Sequence, residues 1–161
     1  TLSSSSAASD VYKRQGLDIS EDMIALACRN AAAYGMTARV GYVKGDARKM
    51  PFDNDYFEGV FSNGSLHEWA HPVEILSEIG RVLKPGGRYV VSDLRRDMNL
   101  LMKWFLWINT KPKAMRSGLL SSINASYVLS EAKDLLAKTS LPGWQVSQNF
   151  LGIVISGQKP A

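Results

Sequence analysis

Between Gly16 and Leu94 the chain alternates between strand and helix signals, and this alternation restricts the fold more than any other feature. Gly16-Leu17-Asp18-Ile19 reads as the end of a buried strand. Ser20 is a good helix N-cap, and Glu21 and Asp22 put negative charge where the helix dipole favours it. Ile24, Ala27, Cys28 and Ala31 recur at helical spacing before Gly35, a C-cap residue. Arg39 to Lys44 predicts a short strand and Phe57 to Phe61 a buried one. Pro72 to Leu83 predicts an amphipathic helix, and Lys84-Pro85-Gly86-Gly87 a stop and turn. Tyr89 to Leu94 is another strand. Met98 to Ile108 predicts a helix, and so does the stretch from Ser130, as its cap, to Lys138. Trp144 to Phe150 and Ile153 to Ser156 predict an antiparallel hairpin turning at Leu151-Gly152. This rhythm is that of an α/β, doubly wound, Rossmann-like sheet, mostly parallel and closed by an antiparallel C-terminal hairpin. No repeat or second domain is expected.

The remaining bulk properties exclude more than they assign. At 161 residues, with 45% hydrophobic and 21% charged residues, the chain can bury a core. Its net charge of +4 is scattered apart from Arg95-Arg96 and the group Lys111, Lys113 and Arg116. Nucleic acid binding needs a concentrated basic face, so no nucleic acid partner is expected. Cys28 stands alone, which rules out an internal disulfide and fits a cytoplasmic setting. No apolar run is long enough for a transmembrane segment, Met98 to Ile108 being short and broken by Asn99 and Lys103. Residues 1–15 show no apolar periodicity, and Ser5 to Gln15 reads like a translated sequencing-library adapter. Residues 1–15 are therefore expected to be non-native or disordered, and natural sequence to begin near Gly16.

Ligands of such sheets bind beyond the carboxyl ends of the strands. Asp18 ends one strand, where a carboxylate can accept both hydrogen bonds of a ribose diol; the alternative is an ordinary acid near a helix N-terminus. Asp46, in Gly45-Asp46-Ala47, suits an adenine amino group, with the Ala47 N–H on a ring nitrogen; the alternative is a turn aspartate. Two strand-ending carboxylates separated by one helix suit the two ends of one adenosine. Ser62-Asn63-Gly64 is a third polar strand end, facing cofactor or substrate, or else a plain turn. His67, Glu68 and His71 are candidate general bases; the preferred reading has them cap and begin the helix at Pro72. A metal on these three has no other support, and none is expected.

Gly-Leu-Asp-Ile-Ser (16–20), Gly-Asp-Ala (45–47), Met-Pro-Phe (50–52), Tyr-Phe-Glu-Gly-Val-Phe-Ser (56–62), Leu-His-Glu-Trp (66–69) and Arg-Val-Leu-Lys-Pro-Gly-Gly-Arg (81–88) occur in this order. Together they closely resemble the small-molecule class I S-adenosylmethionine-dependent methyltransferases, strongly from Gly16 to Leu94 and by the hairpin to Gln158. The resemblance implies a seven-stranded sheet with its last strand antiparallel, and S-adenosylmethionine as cofactor. It places Asp18 on the ribose, Ile19 against adenine, Asp46 and Ala47 at the adenine edge, and Asn63 near the methionine portion. It also implies methyl transfer to a small-molecule acceptor by in-line displacement, in which alignment and exclusion of water are the protein's main contribution. Two departures stand out. No glycine-rich loop precedes Asp18, although the strand carrying it lies in the middle of the family's sheet, so residues 16–161 read as a partial methyltransferase domain. Glu58 stands where the family usually has aspartate.

The stretch Met98 to Ile108 is apolar nearly all round. It can cover an apolar or aromatic acceptor, or touch a membrane surface with the help of Lys103, Lys111, Lys113 and Arg116. The preferred reading is a core helix packed on the sheet. Two other functions compete. A nicotinamide-dependent oxidoreductase also uses an acid after its second strand, but it gives no reason for Gly-Asp-Ala or the hairpin, and no Tyr-x-x-x-Lys pair is present. An inactive fragment with an incomplete cofactor pocket is the other.

Overall fold

The computed structural model describes residues 14–161. These form two compact units that divide between Met50 and Pro51. Most of the segment expected to be non-native lies outside the described residues, but Arg14 and Gln15 begin the first strand.

The first unit is a β–α–β crossover: β1 (Arg14–Asp18), α1 (Glu21–Ala33) and β2 (Val40–Lys44). The strands pair in parallel, with Asp18 opposite Lys44. The Ser20 hydroxyl accepts from the Met23 N–H and caps α1, whose last turn closes when Tyr34 N–H donates to the Asn30 carbonyl. Only Ala31 of α1 is buried.

The second unit contains β3 (Phe57–Asn63), α2 (Pro72–Val82), β4 (Leu83–Leu94), α3 (Leu100–Asn109), α4 (Arg116–Ala125), α5 (Leu129–Leu136), β5 (Gln145–Gln148) and β6 (Gly152–Gln158). Its sheet runs β3-β4-β6-β5, with β3 parallel to β4, and β6 antiparallel to both its neighbours. Ile75, Leu76, Ile79 and Val82 of α2 are buried, as are Tyr89 and Val91 of β4 and Ile153 and Ile155 of β6. Fully burying each such side chain stabilises by about 1.5–3 kcal/mol. Pro72 opens α2 at a position that needs no backbone N–H. Lys159 Nζ donates to the Gly80 and Leu83 carbonyls at the other end of α2. Arg81 Nη1 donates to the Phe52 carbonyl, tying the Met-Pro-Phe segment to this helix.

The fold is the Rossmann-like α/β expected, with its antiparallel hairpin, but several details differ. The six described strands fall into two sheets instead of one of seven, because no described strand hydrogen-bonds to both. Lys84-Pro85-Gly86-Gly87 does not stop the chain before a strand. It is a bulge within β4, where Phe57 pairs with Leu83 and Gly59 with Arg88, and Gly86 takes the positive φ of 76° that the excursion requires. α5 starts at Leu129, not after a Ser130 cap, because the Glu131 carboxylate accepts from the Val128 N–H. α4 carries no clear sequence signal.

The largest correction concerns α3. It is not a core helix: none of its residues is buried, and Leu100, Leu101, Trp104 and Phe105 are more than half exposed. It packs on α4, and the Arg116 guanidinium lies 4.3 Å from the Trp107 ring centre. No helix among the described residues is long and apolar enough to cross a membrane.

Candidate active site

The end of the β1–β2 pair is organised by two aspartates. Asp18 Oδ1 accepts from the Ser20 N–H at 2.8 Å, which aims the carboxylate at the start of α1. Its other oxygen has no hydrogen bond among the described residues. Ile19 next to it is 68% exposed, an apolar side chain with little to cover it. The Gly45 N–H donates to the Asp18 carbonyl and fixes the loop after β2 against the end of β1. Asp46 follows directly, two residues beyond the Lys44 that pairs with Asp18. Neighbouring strands lie about 5 Å apart, so both carboxylates occupy one edge of this small sheet.

Asp46 is already engaged. Its Oδ1 accepts from the Arg48 N–H and its Oδ2 from Arg48 Nε and Nη2, at 2.5–2.8 Å. Such an exposed pair is worth only about 0–1 kcal/mol, so a ligand donor can share or displace it. The Ala47 N–H makes no backbone hydrogen bond among the described residues. A free carboxylate oxygen, a bare apolar side chain and an unused N–H beside a small residue fit an adenosine group.

Asn63 belongs to the second unit and ends β3 opposite Ser92. Its Oδ1 accepts from the Ser92 hydroxyl at 2.7 Å, and Gly64 N–H donates to the Ser92 carbonyl. Ser62 and Asn63 are therefore strand residues, and the turn begins at Gly64, whose φ is 67°.

The three candidate bases separate in the structure. His71 precedes α2 and is half exposed; its side chain makes no cap and stands 3.5 Å from Glu74. Only its carbonyl serves the helix, by accepting from the Ile75 N–H. Glu68 is largely exposed. His67 is neither a cap nor a surface residue. It sits in a 3₁₀ turn, Leu66–Glu68, with its side chain 7% exposed.

His67 Nδ1 lies 2.9 Å from both oxygens of Asp93, whose side chain is 1% exposed. Asp93 also accepts from the His67 and Leu94 N–H groups, both at 2.7 Å. An ionised carboxylate in this arrangement is acceptor only, so Nδ1 is the donor in this pair. Nε2 is buried and has no hydrogen-bond partner among the described residues. The Glu68 carboxylate is 3.8 Å away, beyond hydrogen-bond reach. Asp93 was absent from the sequence expectations; its only signal is an acid inside the apolar run Tyr89 to Leu94. Among the described residues no three potential metal ligands cluster.

The profile of the methyltransferase domain family matches residues 2–91, more than half of the sequence, and the chain belongs to this family. A mitochondrial 2-methoxy-6-polyprenyl-1,4-benzoquinol methylase from Danio rerio is 33% identical over 85 residues, covering 53% of this chain and 26% of that protein. A ubiquinone/menaquinone biosynthesis C-methyltransferase from Pseudomonas fluorescens is 34% identical over 85 residues, covering 53% and 33%. The matched region thus spans about a quarter to a third of these relatives. Among solved structures, a SAM-dependent methyltransferase from Aquifex aeolicus superposes with a TM-score of 0.66 at 17% identity, covering 91% of this chain and 68% of that one. The [4+2]-cyclase SpnF superposes with a TM-score of 0.59 at 18% identity, covering 92% and 67%. At such identities the likeness is one of fold, that of the class I S-adenosylmethionine-dependent methyltransferases.

Proposed function

We propose that the protein is an S-adenosylmethionine-dependent methyltransferase whose acceptor is a small apolar molecule of the quinol type. One observation carries the donor: a free Asp18 oxygen, bare Ile19 and the unused Ala47 N–H share one edge, within the residues that match the family profile. When bound, S-adenosylmethionine supplies an electrophilic methyl group on a cationic sulfur. Asp18 accepts the ribose hydroxyls, Ile19 covers the adenine face, and Ala47 and Asp46 meet the adenine edge. The acceptor class draws support from the quinol-methylating relatives and, separately, from the exposed apolar surface of α3.

Titration calorimetry with S-adenosylhomocysteine tests the donor. We expect binding, and a loss of about 10- to 100-fold for Asp18→Asn, the range for a hydrogen bond to a charged group. NAD should give no heat. Binding of NAD, or no binding of S-adenosylhomocysteine, would overturn the reading.

A further inference from the structure

We infer that α3 docks on an anionic phospholipid surface, lying in the plane of the headgroups with its apolar face towards the acyl chains. The inference goes beyond the methyltransferase reading and stands without it. Leu100, Leu101, Trp104, Phe105, Trp107 and Ile108 follow one another at helical spacing, so they share one side of α3, and all six are exposed. Met102, Lys103 and Leu106 lie on the other side and are half-buried. The chain itself holds the helix in this orientation. Met98 just before it is buried, and Asn99 Oδ1 caps it by accepting from the Met102 N–H. At its far end Arg116 Nη2 donates to the Ile108 carbonyl, beside the Trp107 ring. An apolar face fixed outward in this way marks an interaction surface.

Charge selects the occupant. From Met98 to Ser130 the chain carries Lys103, Lys111, Lys113 and Arg116 and no acid, although it has 15 Asp and Glu in all. Lys111 and Lys113 are exposed just beyond the C-terminal end of α3, and among the described residues no carboxylate pairs with them. A second copy seated on this face would bring the same cations and leave them uncompensated. An anionic bilayer supplies acyl chains for the apolar side chains and phosphate for the lysines, each lysine being worth about fivefold in affinity. Trp104 and Trp107 suit that boundary, since each ring joins an apolar body to an N–H donor. With 10 residues α3 is about 15 Å long, half the depth of the hydrocarbon core, so it lies along the surface and does not cross it.

Co-sedimentation of the full chain with sucrose-loaded vesicles tests this, comparing equal parts phosphatidylcholine and phosphatidylglycerol with phosphatidylcholine alone. The protein should bind the mixed vesicles at least about tenfold more tightly than the neutral ones, and high salt should remove most of that advantage. Leu101→Ser combined with Trp104→Ser should weaken binding to mixed vesicles about tenfold or more, through lost apolar area. Lys111→Gln combined with Lys113→Gln should weaken it about 10- to 30-fold. All four positions are exposed, so both double variants should keep the circular dichroism of the parent. The inference fails if the parent does not bind mixed vesicles, if neutral vesicles bind it equally well, or if either double variant binds like the parent. A dimer in analytical ultracentrifugation that Leu101→Ser with Trp104→Ser makes monomeric, without vesicle binding, would give the face to a second copy. Neither vesicle binding nor self-association would give it to a different protein. Either result overturns the proposal.

Discussion

Asp18 is partly exposed on a strand with one described neighbour, whereas Asp93 is closed in on a strand hydrogen-bonded on both sides. The first makes a single side-chain hydrogen bond among the described residues, which leaves its other oxygen without one. The second accepts from the His67 ring and from the His67 and Leu94 N–H groups. Recognition groups can sit on a lightly packed edge, since the ligand completes their hydrogen bonding. A group that must hold another in one tautomer needs a packed and dry setting.

Three measurements can break or sharpen this contrast. The largest effect should come from the core of the second unit: Leu76→Ala, at a fully buried α2 position, should cost about 2–5 kcal/mol in urea unfolding. Leu26→Ala on the half-exposed face of α1 should change stability by about 0.5 kcal/mol or less. Comparable losses would mean that the first unit is packed as firmly as the second. Next, Asp93→Ala should cost about 1–3 kcal/mol, because it strands the His67 and Leu94 N–H groups, while Asp18→Ala should cost clearly less. Equal costs in thermal melts would mean that the two carboxylates carry equal weight in the folded chain.

The smallest effect is one of pH. Burial raises the Tyr89 phenol from 10.0 to about 12 in the folded chain, where it donates to the Pro142 carbonyl. Below pH 10 both folded and unfolded forms hold the proton and the stabilisation is complete. Between about pH 10 and about pH 12 the unfolded form releases it first, so stability falls as pH rises. Urea midpoints across this window should decline for the parent and decline less for Tyr89→Phe.

The difference between the two edges also governs what could be read in advance. β1, α1 and β2, with Asp18 and Asp46 at their ends, are specified by neighbours in sequence: a cap at Ser20, acids in the first turn, glycines at 35 and 45. The Asp93–His67 pair spans 26 positions, and nothing local to either residue announces it. α3 was misplaced for a related reason, since an apolar sequence specifies what a helix would bury but not whether anything covers it. α4 gave no pattern because Ser117, Gly118, Ser121, Ser122 and Asn124 dilute its stripe, and Ile123 is its one buried side chain. The Lys84–Gly87 segment has the composition of a stop, yet the pairing of β3 and β4 resumes beyond it.

The pairing of Gly152 with Leu94 has a further result. A Cβ at position 152 would overlap the Asp93 carbonyl oxygen, so even alanine would push that backbone aside. The accuracy with which the imidazole is held thus depends on the absence of a side chain on a neighbouring strand, in a residue that touches neither partner's ring nor carboxylate. Attempts to redesign the hairpin for greater rigidity must leave Gly152 alone, and Gly157 too, whose Cβ would meet the Tyr89 hydroxyl and the Gly143 carbonyl.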